Sequence, residues 1–128
     1  MTTFRSYKKL KKTISNNTSN CVNITQSYIN AIEKNKHLNI FIEVFEKESL
    51  EKAKKIDNKI KEGKEGRLAG MVIGLKDNIC YKDHKVTAAS KILNNFISLY
   101  SSTVVQRLLD EDAIIIGRLN CDEFAMGS

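Results

Sequence analysis

Apolar residues along this chain recur at two different periods. Between Cys21 and Lys36, the residues Thr25, Tyr28, Ile29 and Ile32 fall on one stripe of a helix. Across Phe45–Glu62 the positions Leu50, Ala53, Ile56 and Ile60 repeat that spacing, with Lys and Glu covering the rest. A shorter helix is predicted over Phe4–Ile14. The polar stretch 15–20 (Ser-Asn-Asn-Thr-Ser-Asn) reads as a turn that ends in N-caps, whose side-chain oxygens satisfy the first free N–H groups of the next helix. Asn39–Phe45 alternates loosely and is rich in Ile40, Phe41, Ile42 and Val44, which predicts a short strand.

The second half changes character. Gly63–Gly66 breaks the preceding helix. Leu68–Leu75 is an apolar run read as a buried strand, and residues 77–98 read as mostly irregular. Ser101 or Ser102 caps a helix over Thr103–Glu111 with Val104, Val105, Leu108 and Leu109 inward. Ala113–Gly117 is a second buried strand. Strand, helix and strand in that order predict a βαβ unit with parallel strands. Asn120, with Glu123 three residues on, is expected to cap a further helix. Strands apolar throughout are those covered on both faces. About three strands would leave exposed sheet edges, so the chain reads as the first part of a larger α/β domain.

Composition narrows the function classes. The 128 residues carry 21 Lys+Arg against 15 Asp+Glu, a net charge of +6. That length fits one domain, and the 41% hydrophobic content is globular. Apolar runs reach about five residues, far short of the ~20 a spanning helix needs. The charge is uneven. Residues 1–66 hold 14 basic and 8 acidic side chains, and residues 67–128 hold 7 of each. Met1–Lys12 contributes Arg5, Lys8, Lys9, Lys11 and Lys12. Two readings fit this segment: an arm for nucleic acid, or a solvated lysine-rich helix end. Its Lys excess over Arg argues against bidentate phosphate recognition. With 17 Lys, 12 Asn and 15 Ile, an AT-rich genome also explains the bias.

Cys21, Cys80 and Cys121 are far apart and odd in number, with no CxxC pair. His37 and His84 have no ligand-like partner nearby in sequence. A zinc site needs about four clustered ligands, so no metal is assigned. Free cysteines and no secretory leader pattern point to a reducing compartment, the cytoplasm, while the acid-free basic N-terminus leaves an organelle open.

One candidate for chemistry stands out: Gly74-Leu75-Lys76-Asp77-Asn78, at the end of a buried strand. In open α/β sheets, sites lie at the carboxyl ends of strands. A lysine there is expected to be partly desolvated, and desolvation disfavours its charged form, as a base requires. Asp77 and Asn78 are expected to hold the loop by bonding nearby backbone. The plain alternative is a Lys-Asp surface turn.

Three stretches together are more specific. They are Leu68–Cys80, Thr87–Phe96, and Ala113–Gly117 with Asn120–Ser128. In order and spacing they resemble the amidase signature family, most nearly its glutaminase branch serving tRNA-dependent amidotransferases. The resemblance covers nearly the whole chain. It implies the N-terminal portion of that fold: helices plus a few strands of a mixed sheet, incomplete as a domain, with 1–66 a helical region and 67–128 the start of the α/β core. It implies amide hydrolysis by a Ser-Ser-Lys triad in which one serine attacks, a second bridges, and a neutral lysine takes the proton. It places the catalytic lysine at Lys76, with Met126, Gly127 and Ser128 near the substrate pocket. The Gly/Ser-rich stretch bearing both serines is expected beyond Ser128, so these residues alone are expected to be inactive. The branch hydrolyses glutamine and passes ammonia to a B subunit. That partner converts Glu-tRNA(Gln) to its amide with ATP and magnesium, and a C subunit supports the assembly. No cofactor is expected in this chain.

The chain departs from the pattern in places. The family often has Pro at Met71 or Val72 and near Ser98–Tyr100, and this chain has no Pro. Gly is common where Asp112 stands, just past a helix end already crowded by Asp110 and Glu111, so that end is expected to fray. Cys121 replaces Met or Leu and is expected to be a small buried hydrophobe. Two alternatives stand beside the glutaminase reading. One is a family amidase with another amide substrate. The other is a short non-catalytic protein that binds a partner through its sheet edge or basic arm.

Overall fold

The computed structural model describes Phe4 and residues 6–127. In order, the elements are α1 (Tyr7–Ser15), α2 (Cys21–Lys34), β1 (Phe41–Val44), α3 (Glu46–Lys61), β2 (Val72–Lys76), α4 (Thr103–Asp110) and β3 (Ile114–Leu119). Short 3-10 turns occupy Lys36–Leu38, Lys91–Leu93 and Glu123–Ala125. The expected caps are present. Asn20 accepts from Asn23 N–H at 2.8 Å, and Ser102 accepts from Val105 N–H at 3.3 Å. A further cap comes from a distance: the Asp57 carboxylate of α3 accepts from the N–H groups of Cys21 and Val22 at 2.8 and 3.1 Å. Those N–H groups have no partner inside α2, and a carboxylate also suits the positive end of the helix.

The sheet is mixed and ordered β1-β3-β2. β2 and β3 run parallel through the α4 crossover, as the βαβ pattern predicts, and β1 joins β3 antiparallel. Consecutive β3 residues point to opposite faces. Ile114 packs with Leu10, Ile14, Ile24, Ala53 and Ile56 from α1, α2 and α3. Ile115 packs with Phe45, Leu75 and Val105. Gly117 pairs with Val44 at the end of β1, next to the stretch where β1 bulges between Phe41 and Glu43. A Cβ there would stand 2.3 Å from the Glu43 carbonyl oxygen, so the strands meet this closely only over glycine.

Several expectations need correcting. The strand expected over Leu68–Leu75 starts at Val72. Residues 67–70 form turns, with Met71 N–H donating to Leu68 O and Gly70 at φ +82°. Ala69 packs in the core with the helices from this turn, and Leu68 is half-buried. β3 extends past Gly117 to Leu119, because buried Arg118 finds acidic partners in Glu43 on β1 and Asp77 just past the end of β2. The helix expected after Asn120 is only the turn Glu123–Ala125, in which Phe124 and Ala125 are left-handed at φ 52° and 53°.

The frayed end expected at Asp110–Asp112 is instead pinned. Asp112 takes φ 64°, a region Asp tolerates where glycine is usual. Its side chain is buried and accepts from Lys59 Nζ at 2.8 and 3.0 Å and from Gly66 N–H at 2.9 Å, with Lys52 at 3.6 Å. Glu111 pairs with Arg67 at 2.8 Å. Two of the three acids are thus neutralised by other segments.

Candidate active site

Lys76 is the last residue of β2, and beside it the loops leaving β2 and β3 meet. Leu75 is buried behind it. The Lys76 side chain itself is 45% exposed, and its Nζ lies 4.0 Å from Oδ1 of Asp122. The expected desolvation is therefore not present: the side chain leaves the sheet edge, and its charged neighbour is a carboxylate that is itself exposed.

Asp77, next in the chain, points the other way and is fully buried. It accepts from the guanidinium of Arg118, from the hydroxyl of Thr87, and from Thr87 N–H at 3.2 Å. Its own backbone spans both loops, with N–H donating to Leu119 O at 3.1 Å and O accepting from Ala88 N–H at 2.7 Å. Arg118 is 5% exposed and also reaches Glu43 through Nε at 3.1 Å and Nη2 at 3.0 Å. A buried charge is tolerated only when paired and hydrogen-bonded. The thread Glu43–Arg118–Asp77–Thr87 meets that condition across all three strands and fixes the backbone that carries Lys76. Asn78 differs. It is exposed, and its side chain has no hydrogen-bond partner among the described residues.

Asp122 organises the opposite wall. Its carboxylate accepts from Gly127 N–H, and a Cβ on Gly127 would sit 2.6 Å from Asp122 Oδ2. The Gly127 hydrogen bond is the main reason its carboxyl lies below the usual range, helped by its own backbone N–H; burial opposes this, and the charge of Lys76 adds the least. Met126 and Gly127 are exposed on this loop, on the Lys76 side of the molecule through Asp122. Ser128 lies outside the described residues. Phe124 N–H donates to Ala88 O at 2.8 Å and ties the two loops together. Four non-glycine residues at this junction, Ala88, Ala89, Phe124 and Ala125, have φ between 46° and 53°. Such left-handed backbone costs roughly 1–3 kcal/mol per residue and tends to cluster at functional sites.

Sequence reasoning missed Arg118, Thr87, Glu43 and Asp122. Arg118 stood just past the expected strand Ala113–Gly117; only with β3 running to Leu119 does its charge fall inside a buried strand, where it demands an acid nearby. Asp122 was hidden by its reading as part of a helix start.

The cysteines and histidines lie outside this thread. Cys121 is half-buried rather than buried. Burial, then the charge of Asp77, pushes its thiol up, away from the thiolate a nucleophile needs. His84, which has no ligand-like partner nearby in sequence, has Nε2 at 2.7 Å from Glu48 and stacks on the Tyr81 ring at 3.9 Å. Tyr81 donates to the other Glu48 oxygen at 2.8 Å, which fastens the segment after Lys76 onto α3. Among the described residues no group of three His, Cys, Asp or Glu could hold a metal ion, and no helix is long and apolar enough to cross a membrane.

The sequence model of the family described as Amidase matches residues 23–128. The A subunit of glutamyl-tRNA(Gln) amidotransferase from Chlorobium phaeobacteroides (strain BS1) is 42% identical over 98% of this chain and 26% of its own length. The protein of the same name from Brachyspira hyodysenteriae is 51% identical over 68% of this chain and 18% of its own. Among solved structures, native peptide amidase from Stenotrophomonas maltophilia superposes with a TM-score of 0.87 at 25% identity, over 94% of this chain and 25% of that one. The chain thus spans about a quarter of the length of the relatives it matches first.

Proposed function

This chain belongs to the amidase family, and from that premise we propose that Lys76 is the proton-transfer lysine of a Ser-Ser-Lys amide-hydrolysing site. The observation that carries the reading is the contrast at the end of β2. Asp77 is locked into the sheet by Arg118 and Thr87, while the Lys76 side chain projects from that fixed backbone away from the core. A base must be held in place yet reach the reacting group, and this arrangement supports both.

In the proposed reaction the attacking serine forms a bond to the amide carbon. Its proton moves through the bridging serine to the neutral amine of Lys76. The C–N bond then breaks, nitrogen takes the proton and leaves as ammonia, and water hydrolyses the acyl-serine. No Gly-Gly-Ser-Ser segment occurs in these 128 residues, so both serines come from outside them. Asp77 is a positioning residue, and Met126 and Gly127 border the substrate pocket.

The substrate we propose is glutamine. The ammonia serves a B subunit that converts Glu-tRNA(Gln) to Gln-tRNA(Gln) with ATP and magnesium, and a C subunit holds the assembly. No cofactor is needed in this chain. The names of the curated relatives support this choice, and the free thiols of Cys21, Cys80 and Cys121 support the cytoplasm. A second reading, an amidase acting on other amides, is favoured by the likeness to a peptide amidase.

The test is ammonia release by the native amidotransferase, isolated from its source. Lys76→Ala is expected to abolish glutamine hydrolysis, a loss of at least about 100-fold. Full activity in that variant overturns the role of Lys76. Release of ammonia from peptide amides but not from glutamine selects the second reading.

A further inference from the structure

α1 carries Lys8, Lys9, Lys11 and Lys12, all exposed, and no acid. The first acidic residue of the whole chain is Glu33. At about 100° per residue the four lysines spread over an arc of about 160°, while Tyr7, Leu10 and Ile14 take the other side. That other side is fixed: Leu10 and Ile14 are in the core, and Tyr7 donates to Arg67 O at 2.7 Å and Ala69 O at 3.1 Å. None of the four lysines has an ion-pair partner among the described residues. Like charges three and four apart destabilise a helix by a few tenths of a kcal/mol per pair. α3 is also rich in lysine, but Glu48, Glu51 and Asp57 are interleaved with its Lys47, Lys54, Lys55 and Lys61.

We propose that the lysine face of α1 is a docking surface for the sugar-phosphate backbone of RNA. The choice of RNA rests on the proposed function, in which the assembly handles a tRNA. The shape of the surface points the same way. A membrane-surface helix needs a free apolar face, and the apolar side of α1 is already packed. A protein interface is built around an apolar centre, which this arc does not have. Lysines as point charges on a rigid helix suit a line of phosphates read without base contacts.

The experiment measures binding of a labelled tRNA to the full chain across a salt series, by fluorescence anisotropy. The variant K8Q/K9Q/K11Q/K12Q keeps helix propensity, since Gln and Lys are close on that scale. It is expected to weaken binding about tenfold or more near 50 mM salt and to lower the salt slope by about 3. The control K47Q/K54Q/K55Q/K61Q removes the same charge from α3 and is expected to change binding by less than about threefold. Equal losses in both variants show diffuse attraction to net charge and overturn the proposal. So does an unchanged slope in the α1 variant, or tighter binding to vesicles containing phosphatidylserine than to tRNA. If the fourfold variant does not fold, K8Q/K12Q and K9Q/K11Q, which remove half the charge each, are each expected to lower the salt slope by about 1.5, and an unchanged slope in both overturns the proposal. Glutamine hydrolysis is read in a separate assay, so the two proposals fail independently.

Discussion

Arg118 and Asp77 meet across the parallel pair β2–β3, both side chains out of solvent. Their contact joins the exits of the two strands directly. Removing one partner of a buried ion pair leaves the other charge uncompensated, which costs about 3–5 kcal/mol. Arg118→Met is expected to lower stability by that amount in urea unfolding. Because Glu43 and Thr87 also bear on the thread, the double variant Arg118→Met/Asp77→Leu is expected to recover part of the loss. A single variant within about 0.5 kcal/mol of the parent would show that the thread contributes little.

Asp112 is expected to make stability depend on pH on the acid side. Burial pushes its carboxyl up, but Lys59, the Gly66 N–H and Lys52 outweigh burial and hold it below the usual range. A group lowered in the folded state stabilises fully above its unfolded value, about 3.9, and that contribution disappears as pH falls through the lower folded value. Asp112→Asn should therefore cost about 1–3 kcal/mol between pH 5 and pH 7. The gap between variant and parent should close below about pH 4. A gap that is constant down to about pH 2 would assign the effect to packing instead.

Gly117→Ala is expected to detach β1. The added Cβ would meet backbone, the Glu43 carbonyl oxygen at 2.3 Å, rather than a side chain able to swing away. A loss of about 2–3 kcal/mol is expected, in the range of overpacked positions. Amide exchange in Phe41–Val44 should accelerate more than in β2, which is paired on the other side of β3. Uniform acceleration in both strands would mean that the sheet opens as one unit.

How much of this was legible in the sequence differs by region. The helices were readable because their apolar stripes are regular and their caps, Asn20 and Ser102, are chemically explicit, although Val104, expected inward on α4, is exposed and Val105 alone is fully buried there. The parallel β2–β3 pair followed from a helix set between two apolar runs. The start of β2 was not legible, because an apolar side chain such as Ala69 packs in the core as well from a turn as from a strand. The end of β3 was not legible either. Arg118 is a strand residue only because Asp77 and Glu43, 41 and 75 positions away, lie opposite it. At the site, the motif located Lys76 and Asp77 but not their opposite orientations. Asp122 escaped because left-handed backbone at Phe124 and Ala125 turns an apparent helix start into a tight loop.

The strand order also sets a timetable for synthesis. Both outer strands pair only with β3, the last of the three to be made. On a ribosome adding ~5–20 residues per second, β1 would wait roughly 4–14 s for its partner. During that interval Ile40 and Ile42 have no sheet beside them, and the nascent chain offers an unpaired apolar ribbon to chaperones or to its neighbours. Emergence of residues 114–119 closes the sheet at one stroke, joining Glu43 to Arg118 and Arg118 to Asp77.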